Sequence, residues 1–189
     1  GEIGRWVADT ADAAPVDASV AFADRDPSVA ADAAAGRDAR TVDADGDSVH
    51  DAVCLAVPMS AVPAAVEAYA PRAREAIVDV SGEMTDALAA MREHAPRLER
   101  ASYHPLFAPP RVPGNVAVVV DEAGPTVAAL TDAIEAGGND VFETTAAEHD
   151  DAMETVQAGA HAAVLAWRLA ADPVREEFHT PVSAALEEV

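Results

Sequence analysis

The chain has 189 residues, half of them hydrophobic, which is enough for one full domain and part of a second around a real core. Its 34 Asp and Glu stand against 12 basic residues, all arginine, giving a formal charge of −22 that disfavours nucleic acid and anionic membrane as partners. One cysteine, Cys54, excludes an internal disulfide and a thiolate metal cage, and no apolar run approaches the ~20 residues needed to cross a bilayer.

Residues 5–13 predict a short helix, and ASVAFAD (18–24) a strand of small and branched apolar residues ending on an acid. PSVAADAAAG (27–36) has proline at a helix start and glycine at its end, and RTVDAD (40–45) predicts a brief edge strand. DAVCLAVP (51–58) is a continuous apolar run stopped by proline, as suits a strand covered on both faces, with Cys54 an ordinary core residue. A helix capped by Ser60 is expected to Tyr69, then strand EAIVDVS (75–81), helix EMTDALAAMREHA (83–95) and strand ERASYH (99–104). After the proline-rich HPLFAPPRVPG (104–114) come strand NVAVVVD (115–121), helix GPTVAALTDAIEAGG (124–138) and strand NDVFETT (139–145).

From Ala146 to about Ala171 one long apolar periodicity replaces the alternation, and a further helical stretch is expected from Asp172. The pattern predicts an α/β fold with two domains. Residues 1–145 form a Rossmann-like, doubly wound, mainly parallel sheet with helices on both faces, and residues 146–189 start an all-helical domain. Ligands in such sheets lie at the carboxyl ends of the strands, so the loops there are the candidate site.

GEIGRW opens the chain. Gly1 and Gly4 fit the last two glycines of a dinucleotide loop, one for close approach of backbone to pyrophosphate and one for close packing of helix on strand. Asp24 is the acid expected about 20 residues on, placed to take the ribose hydroxyls of NAD and to repel a 2′-phosphate, with Arg25 softening that discrimination. The same reading expects an apolar strand ending in Gly-x just ahead of Gly1, in the middle of the sheet.

Of six histidines, His104 follows a strand directly and is held by Pro105, where a neutral imidazole can take a proton from a substrate hydroxyl. His149 opens the long helix between Glu148 and Asp150, so it reads equally as a helix-start neighbour of acids or as a site residue. His161 lies twelve residues later, on one helix face with Gln157. His50 and His94 read as ordinary capping or satisfied polar residues.

HPLFAP followed by AAEHDDAMETVQAGAH resembles the prephenate dehydrogenase family, which carries H-P-M-F/A-G and then E-H-D with a histidine twelve residues beyond. The likeness extends over the trailing glycines, Asp24, LAVP and HTPVSAAL. It implies oxidative decarboxylation of prephenate to 4-hydroxyphenylpyruvate in tyrosine biosynthesis, with NAD as cofactor and a homodimer formed through C-terminal helices. His104 is then the catalytic base. Ser81, His149, Gln157 and His161 fall at the substrate, and Gly1, Ile3, Gly4, Asp24, Arg25, Val57 and Pro58 at the cofactor; no metal is implied. The chain departs from the pattern at Ala108, where the family has glycine. It departs again in DVSGEM, where Ser81 stands one place early and lysine is missing, and in TPVSAAL, which lacks an arginine for the substrate carboxylate. Arg111, Arg168 and His179 are candidates for that anchor.

Arogenate is an alternative substrate. A Rossmann dehydrogenase of the β-hydroxyacid type is a second reading, but that group depends on a lysine, and this chain has none. A noncatalytic NAD-sensing module is a third. The acids are spread through periodic apolar segments and do not form a disordered tail. At molar salt, where the Debye length is ~3 Å, their repulsion is screened, so the composition points to a salt-loving, haloarchaeal-type cytoplasm. The start of the chain lacks the basic and apolar regions of a secretory signal.

Overall fold

The structure, a computed structural model, describes residues 1–13, 18–108, 111–170, 178 and 180, with backbone alone at 12, 13, 157, 161 and 170. The chain divides into two units, Gly1–His149 and Asp150–Val189.

Helix α1 (Glu2–Ala13) begins three residues earlier than the periodicity suggested and buries Trp6, Val7 and Ala8. Strand β1 (Val20–Phe22) pairs in parallel with β2 (Ala39–Thr41), forming a two-stranded sheet. Between them α2 (Pro27–Ala34) is capped by Asp26, whose carboxylate accepts the Ser28 N–H, and the chain leaves through Gly36 at φ +77°, a conformation that favours glycine.

Among the described residues the second sheet holds five strands in the order β3 (His50–Leu55), β4 (Ala73–Asp79), β5 (Glu99–Pro105), β6 (Asn115–Glu122) and β7 (Asp140–Glu143). All pairings are parallel except β5 with β6, whose connection contains no helix among its described residues and therefore turns the chain straight back. The fold is α/β with a mainly parallel sheet, as expected.

Both faces of this sheet are covered. Val78, Ala101, Tyr103, Val116 and Val118 pack with Trp6 and Val7 of α1 and with Val127 and Ile134 of α5 (Pro125–Ala136). On the other face Leu55 and Ile77 meet Val62 and Val66 of α3 (Val62–Tyr69) and Leu88 and Met91 of α4 (Thr85–His94). Ile77 and Val78 are neighbours in sequence and enter opposite clusters, the two-residue alternation of a strand buried on both sides.

Two expectations are corrected. Among the described residues β3 pairs with β4 alone, and Ala52 and Cys54, on one of its faces, are exposed, so the strand is not covered on both faces. Ser60 does not cap α3: it lies in a 3₁₀ turn, Met59–Ala61, that is closed by the Ala61 N–H on the Pro58 carbonyl.

A buried ion pair locks the large sheet. Arg100 Nε donates to Asp121 Oδ2 at 2.8 Å, and a second nitrogen of the same guanidinium donates to the carbonyls of Ala95 and Leu98. Burial opposes the charge on Asp121, but hydrogen bonds and charge from Arg92 and Arg100 outweigh it and hold the carboxyl below its usual range. Nearby, Glu99 accepts the Val127 N–H at 2.8 Å and so caps α5. A Cβ at Gly124 would collide with that carboxylate, which explains the glycine there.

Helix α6 (Ala146–Ala170) starts in the first unit and continues into the second, where Val156, Leu165 and Leu169 are exposed. Among the described residues no helix is long and apolar enough to cross a membrane. The helical stretch expected from Asp172 and His179 lie outside the described residues.

Candidate active site

Strand β5 delivers His104 to the carboxyl end of the sheet. Its alternation sends Ala101 and Tyr103 into the core and leaves Ser102 and His104 on the opposite face, where His104 is half-buried. Tyr103 is fully buried, and its hydroxyl is bonded to Thr131 Oγ1 at 2.9 Å; desolvation pushes the phenol up to about 12, so it stays protonated and structural.

The start of α6 brings up the second imidazole. Thr145 Oγ1 accepts the Glu148 N–H at 3.2 Å and the Thr145 carbonyl accepts the His149 N–H at 2.9 Å, a T-x-x-E helix start. That cap fixes the first turn, with Ala146 against the α3–α4 cluster and His149 three residues on along the same face. His149 is buried, and its Nε2 lies 2.9 Å from His104 Nδ1 with the two rings at 74°.

The β4 end supplies the floor. Asp79, fully buried, accepts both the amide and the hydroxyl of Ser81 at Oδ2, which turns the chain so that Gly82 lies against His104. A Cβ added at Gly82 would come within 3.5 Å of His104 Nε2 and 3.1 Å of Met59 Sδ. Thus Nε2 is the His104 nitrogen that faces the loops after β3 and β4.

The glycine helix reaches the same edge. A Cβ at Gly4 would lie 3.1 Å from Ala56 Cβ, so glycine permits α1 to sit closely on the end of β3, next to Val57 and Pro58. Trp6 meets Phe107 edge-on, centroids 5.3 Å apart, tying α1 to the segment after His104. Arg5 Nε, in the first turn of α1, is buried and has no hydrogen-bond partner among the described residues. Asp24 stands just beyond β1 and accepts the Asp26 N–H at 2.9 Å, with Arg25 exposed beside it.

Contacts therefore join Gly4 to Ala56, and Met59 through Gly82 to His104 and His149. Ser81 is turned to Asp79; Gly1 and Ile3 lie at the start of α1, and Val57 packs on the α3–α4 cluster. Gln157 and His161 fall on α6, but their side chains lie outside the described residues. Arg111 and Arg168 are exposed, as is His94 in the last turn of α4. Cys54 is open to solvent yet close to protein on other sides, so desolvation and the Asp79 carboxylate raise its thiol and leave it protonated near neutral pH. The open surface limits that effect but does not reverse it. Sequence reading missed Asp79, Gly82 and Arg5. It also missed the cap at Thr145, whose T-A-A-E signal was present.

No family model matches the chain. A 4-amino-4-deoxyprephenate dehydrogenase from Streptomyces pristinaespiralis is 38% identical over 123 residues, which cover 63% of this chain and 42% of that protein. The chain thus spans well under half the length of the curated relative it matches. The prephenate dehydrogenase of Aquifex aeolicus superposes with a TM-score of 0.72 at 14% identity, over 98% of this chain and 75% of that one. A structure of the Aquifex enzyme in complex with hydroxyphenyl propionate and NAD+ gives 0.68 at 13%, over 96% and 68%. A pyrroline-5-carboxylate reductase from Coxiella burnetii gives 0.66 at 15%, over 100% and 73%. At these identities the solved structures establish the fold, which is Rossmann-like.

Proposed function

We propose that this chain is the nucleotide-binding and catalytic part of an NAD-dependent dehydrogenase acting on a cyclohexadienyl acid, with prephenate as substrate and 4-hydroxyphenylpyruvate as product. The observation that carries the reading is His104. It sits at the carboxyl edge of the sheet with Nε2 toward the loops after β3 and β4 and Nδ1 bonded to a second imidazole. The similarity to the Streptomyces enzyme supports the ring chemistry, and the NAD+ complex of the Aquifex enzyme supports the cofactor.

The residues fit a dinucleotide. The start of α1 presents backbone N–H groups and its positive dipole end, Gly4 allows close packing, Arg5 adds a cation, and Asp24 offers a carboxylate to ribose. Bound NAD supplies a hydride acceptor. His104 Nε2 takes the proton of the ring hydroxyl as hydride leaves the same carbon. The ring carboxylate departs as carbon dioxide, its bonding pair enters the ring and ends on that oxygen, and His104 returns the proton to give the phenol. Substrate and product charges then balance without net proton release. Gln157, His161 and Ser81 are assigned to the substrate side, with a homodimer formed through the C-terminal helices, where Val156, Leu165 and Leu169 of α6 are exposed. A salt-rich cytoplasm is the setting that the −22 charge suits.

A second reading keeps the reaction and changes the ring substituent to an amine, as in the name of the Streptomyces relative; arogenate is a third substrate. The test is NADH formation by the full-length protein in molar potassium chloride with prephenate, arogenate and the 4-amino compound. No reaction with any of them overturns the proposal. His104→Asn is expected to lower turnover by about 10²- to 10⁴-fold while NAD binding persists.

A further inference from the structure

We infer that His149 is a positioning residue for His104: it accepts the His104 Nδ1 proton and so holds that imidazole in the tautomer whose Nε2 lone pair is open to the substrate. This rests on the proposed function only in naming the proton that Nε2 receives. The two ring nitrogens are 2.9 Å apart and the rings are steeply inclined, which is the geometry of an in-line hydrogen bond and not of stacking.

Such a bond between two neutral imidazoles can run either way. With His149 donating, the remaining His104 proton sits on Nε2 and faces Gly82 as a donor, unable to take another proton without loss of the bond. With His104 donating, Nε2 is an acceptor, and the bond to His149 strengthens as His104 becomes imidazolium. Only the second arrangement gives a base at the edge of the sheet.

His149 is suited to orient and poorly suited to bind. It is 3% exposed, whereas a substrate ligand needs an open face. Its Nε2 is directed at His104, and its backbone is set in the first turn of α6 by the Thr145 cap. The arrangement parallels the way a carboxylate orients a catalytic histidine, with a neutral acceptor in place of the charge. This assignment differs from the substrate contact suggested by the family resemblance.

The experiment uses the full-length protein and two variants, His149→Leu and His149→Gln. Nitrogen–proton correlation NMR of the His104 ring, without substrate, is expected to show the proton on Nδ1 in the wild type and both tautomers in His149→Leu. In steady-state assays His149→Leu should lose about 10- to 100-fold in kcat with substrate KM within about twofold. His149→Gln, whose amide oxygen can accept the same bond, should recover most of that loss. A wild-type His104 with its proton on Nε2 overturns the inference without need of either variant. So does a His149→Leu enzyme whose KM rises while kcat holds. If the wild type fails to oxidise any cyclohexadienyl acid, the proposed function falls, and the ring NMR still decides the tautomer.

Discussion

The two-stranded sheet β1–β2 and the five-stranded sheet β3–β7 draw on the same small and branched apolar residues, yet only the second is built as a core. Val20, Ala21 and Phe22 of β1 are all half-buried, while Ile77, Tyr103, Val116 and Val118 are completely or almost completely enclosed between two helical layers. A residue inside the larger sheet therefore affects folding first, and under the proposed function one at the edge of the smaller sheet is expected to affect ligand binding first. His104 lies on the larger sheet and His149 on the helix that leaves it, which fits the need to fix two rings within about 0.5 Å.

The largest expected effect breaks the larger sheet. In Asp121→Asn the buried Arg100 guanidinium, 8% exposed, loses its nearer carboxylate and keeps only the more exposed Glu122 at 3.5 Å, which should cost up to about 3 kcal/mol in chemical denaturation. The pH dependence has a definite sign. The folded carboxyl titrates below its unfolded value, so its contribution is present above the unfolded pKa and fades as pH falls through the lower folded one. Wild type should thus lose stability below about pH 4, with a shallower acid slope in Asp121→Asn. Equal slopes would mean that this carboxylate carries little of the acid response.

The smaller sheet should answer differently. Asp24→Ala removes a carboxylate just past β1 without touching either core cluster. Its midpoint of unfolding should stay near that of the wild type, while the NAD Kd rises about tenfold, or ~1.4 kcal/mol, and preference over NADP shrinks. Calorimetric titration of both cofactors checks this. A large fall in stability with unchanged affinity would reverse the distinction between the sheets.

Much of the larger sheet was legible because burial on both faces writes itself as uninterrupted apolar runs, as in AIVDV and NVAVVV. The same signal misled at β3. DAVCLAVP reads as a covered strand, but composition does not say which face a helix covers, and Ala52 and Cys54 are exposed while Leu55 on the other face is buried. The reversal at β6 is signalled by the absence of a crossover helix pattern in the proline-rich HPLFAPPRVPG. His104 was readable from its place after a strand. Its pairing with His149 was not, since it depends on where α6 begins relative to β6, a tertiary fact settled by Thr144 donating to the Val118 carbonyl and by the Thr145 cap.

That cap offers the mildest and sharpest test of the comparison, because it stands where the larger sheet gives way to α6. Thr145→Ala removes the acceptor for the Glu148 N–H and should cost about 1 kcal/mol, far less than Asp121→Asn. Its effect on turnover should exceed what that stability change suggests. His149 is four residues into the capped turn, and fraying there loosens its Nε2 from His104. Thr145→Ser keeps an acceptor and should restore both stability and kcat, with NAD affinity unchanged in either variant, since no described contact links Thr145 to α1 or β1. If Thr145→Ala lowers kcat no more than other substitutions costing about 1 kcal/mol, the imidazole pair draws its order from the strand alone and α6 contributes only packing.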